Sequence, residues 1–160
     1  MKVTMIRHTS VDVPKGMCYG WSDAPVAATF EQEAAETKKK LAGKAFDCVF
    51  SSPLTRARKL AAFCGYPDPV VDDRLKEMNM GDWEMQLYDE ITDPYKEQWY
   101  NDYMHLPTPH GESFPQLYQR VASFLDELKR EDYRRVAVFA HGGVLICAGL
   151  YGKLFAPEKA

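Results

Sequence analysis

The 160-residue sequence lacks any run approaching the 18 or more apolar residues of a membrane span. Its first apolar stretch is broken by Arg7-His8, unlike a signal peptide, so a cytoplasmic location is expected. Basic residues are not in excess: 20 Lys+Arg stand against 23 Asp+Glu, a formal net charge of −3. That balance argues against nucleic-acid or membrane partners, which need a basic footprint, and leaves any anionic ligand to a local cluster. Cysteine is sparse. Cys18, Cys48, Cys64 and Cys147 form no C-x2-C pair, which weakens zinc and dithiol-redox readings and favours small buried thiols. There is no internal repeat, low-complexity tract or Gly/Pro-rich linker. With 46% hydrophobic and 27% charged residues, the composition is that of one globular domain over residues 1–160 rather than a disordered or disulfide-stapled chain.

What is present is an alternation of short apolar runs and helical patterns. Lys2 to Ile6 reads as a buried strand ending at Arg7-His8, and residues 31–41 have helical composition. Phe46 to Phe50 is a second strand closed by Ser51-Ser52-Pro53, with Pro53 expected in the first turn of a helix over about 54–63. Val70-Val71 is a possible third strand. Residues 78–112 are irregular, aromatic and acidic, with a short helix expected near 95–103, and this segment is the candidate lid. Phe114, Leu117, Val121, Phe124, Leu125 and Leu128 recur at helical spacing. Val136 to Ala140 is another strand ending at a histidine, and Gly142-Gly143 opens a last helix. Near-continuous apolar strands alternating with helices predict an α/β/α three-layer sandwich around a mainly parallel sheet.

In open α/β sheets ligands sit beyond the carboxyl ends of the strands. Three strand ends here deliver Arg7-His8, Ser51-Ser52 with Arg56, and His141-Gly142-Gly143 to one edge. The planar fork of arginine matches phosphate oxygens, and a helix-start N–H adds an anion donor, so the expected guest is a phosphoryl group. A neutral imidazole among such cations can attack phosphorus.

These blocks carry a resemblance. Arg7-His8 after a strand, Ser51-Ser52-Pro53-Leu54-Thr55-Arg56-Ala57, Leu75-Lys76-Glu77 running into Gly81-Asp82-Trp83-Glu84, and Ala140-His141-Gly142-Gly143 stand in the order found in the histidine phosphatase, or phosphoglycerate-mutase-like, superfamily. The likeness extends to about residue 157. It implies a phosphomonoesterase without metal or cofactor, acting on a small-molecule phosphate ester. His8 is then the nucleophile that forms a phosphohistidine, while Arg7, Arg56, His141 and Gly142 hold the phosphoryl oxygens. Glu77 protonates the leaving oxygen and then activates water, and His141 shares in the catalysis. Glu84 and Glu112 are nearby carboxylates with competing claims to the role of Glu77. Trp83, Trp99 and Tyr88, Tyr95, Tyr100 and Tyr103 are expected to pack the core or lid rather than to form a stacking platform.

Departures refine the resemblance. The family's usual Gly after Arg-His is Thr9 here, with a pocket of altered geometry as the expectation. The run from Arg7 to Val11, Cys18 to Pro25, and Pro109-His110-Gly111-Glu112-Ser113 resemble the subset described as α-ribazole-5′-phosphate phosphatases, acting in cobalamin nucleotide-loop assembly. Residues 51–112 hold 6 Lys+Arg against 12 Asp+Glu, which suits an uncharged or cationic leaving group better than a second carboxylate or phosphate. Hydrolysis is thereby favoured over a mutase activity, with a broad-specificity small-molecule phosphatase as the alternative within the class and a non-catalytic phosphate-binding module as the alternative of another class. Relatives continue past the last helix into a further strand, whereas this sequence stops at Ala160. A missing edge strand would expose unpaired backbone, so reduced stability or intermolecular edge pairing is the expectation, and the oligomeric state stays open.

Overall fold

Parallel pairing organises the apolar runs. In the computed structural model, which describes residues 1–153, β1 (Lys2–Arg7), β2 (Cys48–Ser51), β3 (Val70–Val71) and β4 (Arg135–Ala140) form one sheet in the order β1-β4-β2-β3. Each paired ladder is parallel. The connecting helices are α1 (Phe30–Leu41), α2 (Thr55–Phe63), α4 (Phe114–Leu128) and α5 (Gly142–Tyr151), with the shorter α3 (Tyr95–Asn101) between α2 and α4. The mixed α/β architecture agrees with the sequence reading.

The central strand β4 shows why three layers form. Its side chains alternate faces, so Val136, Val138 and Ala140 join Leu117, Val121, Phe124 and Val144 of α4 and α5 in one core. Ala137 and Phe139 join Ile6, Phe30, Ala34, Leu60 and Ala61 in the other. Every β4 residue after Arg135 is buried, and each Val or Phe so covered contributes about 1.5–3 kcal/mol relative to exposure. The stripe read along α4 buries Leu117, Val121, Phe124, Leu125 and Leu128. The same helix starts sharply: Ser113 Oγ accepts the Gln116 N–H, and Gln116 Oε1 accepts the Ser113 N–H.

Two local expectations shift. The second strand begins at Cys48 rather than Phe46, and Pro53 precedes α2, whose first helical residue is Thr55. Ser52 is not spent as a cap at the α2 boundary, which is Leu54; its Oγ accepts the Leu54 N–H and also meets His141.

Residues 78–112 carry short 3-10 turns at Gly81–Trp83 and Tyr88–Glu90 besides α3. Trp83, only 2% exposed, packs with Cys18 and Ile91, and its ring meets Tyr88, Tyr95 and Trp99. Tyr100 and Tyr103 remain exposed. The segment is stitched to the loop after β1, because the Cys18 N–H donates to Gln86 O and the Met85 N–H to Cys18 O.

Among the described residues β1 is an edge of the sheet. Beside it Val3, Met5, Leu125, Leu145 and Ala148 line an apolar groove of about 700 Å³. Residues 154–160, on which the expectation about the chain end falls, lie outside the described residues.

If the α4 stripe is the main seam of one core, Phe124→Ala will lower unfolding free energy by about 3–5 kcal/mol. The exposed neighbour change Gln119→Ala will stay within about 0.5 kcal/mol. Urea denaturation of both variants measures the difference, and equal losses would refute this packing account.

Candidate active site

The sheet register brings the strand ends together. Arg7 pairs with Ala140 and Ser51 with Phe139, so the next residues, His8, His141 and Ser52, stand side by side past the carboxyl edge. Backbone bonds extend the ladder by one step: His8 N–H donates to Ala140 O at 3.2 Å and Ser52 N–H to Phe139 O at 2.9 Å. The His8 and His141 ring centroids are 5.2 Å apart.

His8 has a defined tautomer. Its Nδ1 lies 2.6 Å from Thr9 O, and a carbonyl oxygen can only accept, so Nδ1 carries the proton. In the neutral ring Nε2 then holds the lone pair, and it makes no hydrogen bond among the described residues. Burial, reinforced by Arg56 and Arg7, lowers the His8 pKa to about 4, against the opposing pull of the Thr9 carbonyl and Glu33. The ring is therefore neutral at physiological pH.

His141 is fully buried and sits between β4 and α5, with its Nε2 2.8 Å from Ser52 Oγ. Ser52 Oγ accepts the Leu54 N–H, so its own proton can be given to Nε2, which places the imidazole proton on Nδ1. That buried Nδ1 has no partner among the described residues. Burial first, then Arg56, His8, Arg120 and Arg7, lower the His141 pKa to about 2.

The cations differ in freedom. Arg7 is exposed and lies over α5's first residue: a Cβ on Gly142 would stand 3.6 Å from Arg7 Nε. The Gly142 N–H, at the helix start, has no intrahelical acceptor. Arg56 is fully buried, spends Nη1 on Ser22 O at 2.7 Å and Nη2 on Gly20 O at 2.6 Å, and stacks on Tyr19. Its Nε is a buried donor without a partner. Unmet buried donors are costly, and here two of them, on Arg56 and His141, occur in one cluster. A cavity of about 320 Å³ lined by Arg7, His8, Thr9, Ser10, Tyr19 and Glu33 opens on this edge.

The three competing carboxylates separate cleanly. Glu84 accepts the N–H groups of Gly20, Trp21, Ser22 and Met80 and the Ser22 hydroxyl, so it ties the 20–22 loop that holds Arg56. Burial works to raise its pKa, but the bonds from Ser22, Met80, Trp21 and Gly20 outweigh it and the net shift is downward. Glu112 pairs with Arg120 through two bonds of 2.7 and 2.8 Å. Only Glu77 reaches α5, its Oε2 accepting the Gly143 N–H at 3.0 Å while Oε1 takes the Met78 N–H at 2.9 Å. A Cβ at Gly143 would lie 2.2 Å from Glu77 Oε1, so a side chain there would displace the Glu77 carboxylate from this position.

The site contains contributors that the motif blocks left without a role. Ser52 orients His141, and Glu33 stands at the cavity mouth, where Ser10 donates both N–H and Oγ–H to it. Local periodicity carries no signal for either. Within the acidic stretch 51–112, Glu112 is paired with Arg120 of α4, which lies outside it. Thr9 does not adopt a positive φ, and its buried hydroxyl lacks a partner among the described residues. His110 adopts a left-handed φ of 56° and bonds Asp82 through Nδ1 at 2.8 Å.

A parallel α/β/α sandwich with paired histidines and arginines at its carboxyl edge defines a phosphate-handling class. The profile of the histidine phosphatase superfamily (branch 1) matches residues 3–152. The chain belongs to this superfamily, and it is a phosphatase-type enzyme. It is 31% identical over 155 residues to the adenosylcobalamin/alpha-ribazole phosphatase of Escherichia coli K12, covering 91% of this chain and 75% of that one. It is 26% identical over 145 residues to phosphoserine phosphatase 1 of Hydrogenobacter thermophilus, covering 86% and 69%. A crystal structure of a candidate alpha-ribazole-5′-P phosphatase from E. coli K-12 superposes with a TM-score of 0.85 at 28% identity, covering 94% and 78%. A phosphoglycerate mutase from Thermus thermophilus does so at 0.75 and 32%, covering 92% and 81%.

Because the folded His8 pKa of about 4 lies below the ordinary 6.5, the unfolded chain binds its proton first on acidification. The His8 contribution to stability is thus present above pH 6.5 and lost as pH falls toward 4. Tm measured across that window will fall less steeply in His8→Asn than in the parent, and parallel slopes would contradict the assignment. Thr9→Gly removes a buried unpaired hydroxyl without relieving backbone strain. Its inorganic phosphate affinity, measured by calorimetry, will therefore stay within about tenfold of the parent.

Proposed function

We propose that the protein hydrolyses small-molecule phosphate monoesters through a phosphohistidine on His8. The observation that carries this reading is the His8 ring itself: neutral, with its Nδ1 proton tied to Thr9 O and its Nε2 lone pair unengaged, beside His141 and two arginines. In the first half-reaction the Nε2 lone pair attacks phosphorus and the ester P–O bond breaks, while protonated Glu77 gives its proton to the leaving oxygen. In the second, Glu77 carboxylate takes a proton from water, the hydroxide attacks phosphorus, and the P–N bond breaks with its electron pair returning to Nε2. Inorganic phosphate leaves and Glu77 is again protonated.

In this reading Arg7, the spare donors of Arg56, His141 Nδ1–H and the Gly142 N–H hold the phosphoryl oxygens. Preorganised donors of this kind act where charge develops, without reorganising as it does so. The positive charge of the arginines then suffices without a metal or cofactor. Four cysteines, all free, agree with a cytoplasmic setting for the reaction.

For the substrate we favour α-ribazole 5′-phosphate. The 31% identical E. coli relative and the similar Cys18 to Pro25 run support it. The Glu33 carboxylate at the cavity mouth favours a leaving group without a carboxylate, so it disfavours phosphoglycerate.

His8→Ala will abolish hydrolysis of 4-nitrophenyl phosphate, and brief reaction of the parent with labelled substrate will trap acid-labile, base-stable phosphate on His8. Activity that survives His8→Ala, or that disappears on chelation of metals, would overturn the reading. Binding without turnover across a panel of phosphate esters would instead support a binding module. In the same panel α-ribazole phosphate should give the highest kcat/KM, above phosphoserine and phosphoglycerate.

A further inference from the structure

Glu77 sits on an irregular stretch between a 3-10 turn (Asp73–Leu75) and the Gly81–Trp83 turn, without a helix or strand to fix it. A general acid requires placement to within a fraction of an ångström, so something else must hold this backbone. The structure assigns that task to Arg120 of α4. Its guanidinium is largely buried and every one of its five N–H donors has an acceptor. Nη1 donates to Arg74 O at 2.8 Å and Lys76 O at 2.6 Å, and Nη2 to Glu77 O at 2.8 Å. The remaining Nη2 donor and Nε grip Glu112 Oε1 and Oε2.

Glu112 closes the clamp from the far side. Its Oε1 accepts the Asn79 N–H at 3.0 Å, and its own N–H donates to Asn79 O at 2.8 Å. Residues 74–79 are thus held at three carbonyls before or at Glu77 and at both polar groups of Asn79 beyond it. The Glu77 side chain projects from this fixed frame to the Gly143 N–H, two residues past His141. Lysine cannot replace the fork, because one ammonium offers three donors without the planar spread that five acceptors require. Arg120 is therefore a positioning residue for Glu77, acting through the backbone rather than touching substrate. This role rests on the reading of Glu77 as the proton donor.

Leaving-group dependence distinguishes positioning from simple scaffolding. A general acid matters most for a poor leaving group and little for 4-nitrophenolate, and kcat/KM reports the step in which that group departs. In Arg120→Met and Arg120→Lys, kcat/KM for an alkyl phosphate will fall by roughly 10²-fold or more, while that for 4-nitrophenyl phosphate falls by less than about tenfold. Glu77→Gln will show the same skew, and adding Arg120→Met to it will cost little more. If Arg120→Met folds poorly, Glu112→Gln, which keeps an acceptor for Asn79 but weakens the grip on Arg120, should show the skew in milder form. A skew in Glu77→Gln with uniform losses in the Arg120 and Glu112 variants would overturn the clamp alone. Absence of the skew in Glu77→Gln itself would overturn the reading of Glu77 and the clamp with it.

Discussion

The site depends on one strand. β4 is buried from Val136 to Ala140 and pairs in parallel with β1 on one side and β2 on the other. Because parallel pairing aligns carboxyl ends, that register sets His8, Ser52 and His141 next to each other whatever the loops do. The hydrophobic burial that stabilises the sheet is the same constraint that assembles the chemistry. A slip of one residue would turn Val136 and Val138 to the wrong layer and misalign the histidines together.

Around this edge the protein keeps its imidazoles neutral by burial and by cations, both of which oppose a proton. The same edge holds two buried donors, His141 Nδ1 and Arg56 Nε, that no described protein group satisfies. Polar burial of this sort at a strand edge is unlike the packing of the two cores, where the large buried side chains are apolar. The surrounding carboxylates contribute by restraint: Glu84 immobilises the loop that binds Arg56, and Glu112 completes the frame around Glu77.

Membership of the histidine phosphatase superfamily accommodates relatives named for hydrolysis and for mutase activity on one scaffold. In this chain Tyr19 and Glu33 line the cavity beside His8, and the loop after β1 is stitched to residues 78–112 by the Cys18, Gln86 and Met85 backbone. The Glu33 carboxylate that lines this cavity lies on α1, outside the motif blocks.

Residue order alone was enough to place the strands, the α4 stripe and the identity of the strand-end residues. Each of these depends on local periodicity or on a residue standing directly after an apolar run. Lengths and boundaries drifted only slightly, as at Cys48 and Thr55, where Ser52 is drawn to His141 and Pro53 is left before the helix. The resemblance pointed to Glu77, but what Glu84 and Glu112 do instead emerged only from the folded chain, as did the Ser52 to His141 contact and the five acceptors of Arg120. These bonds join residues up to 89 positions apart. Hydrogen bonding across such distances depends on the geometry that packing creates, and no local pattern of residues encodes it.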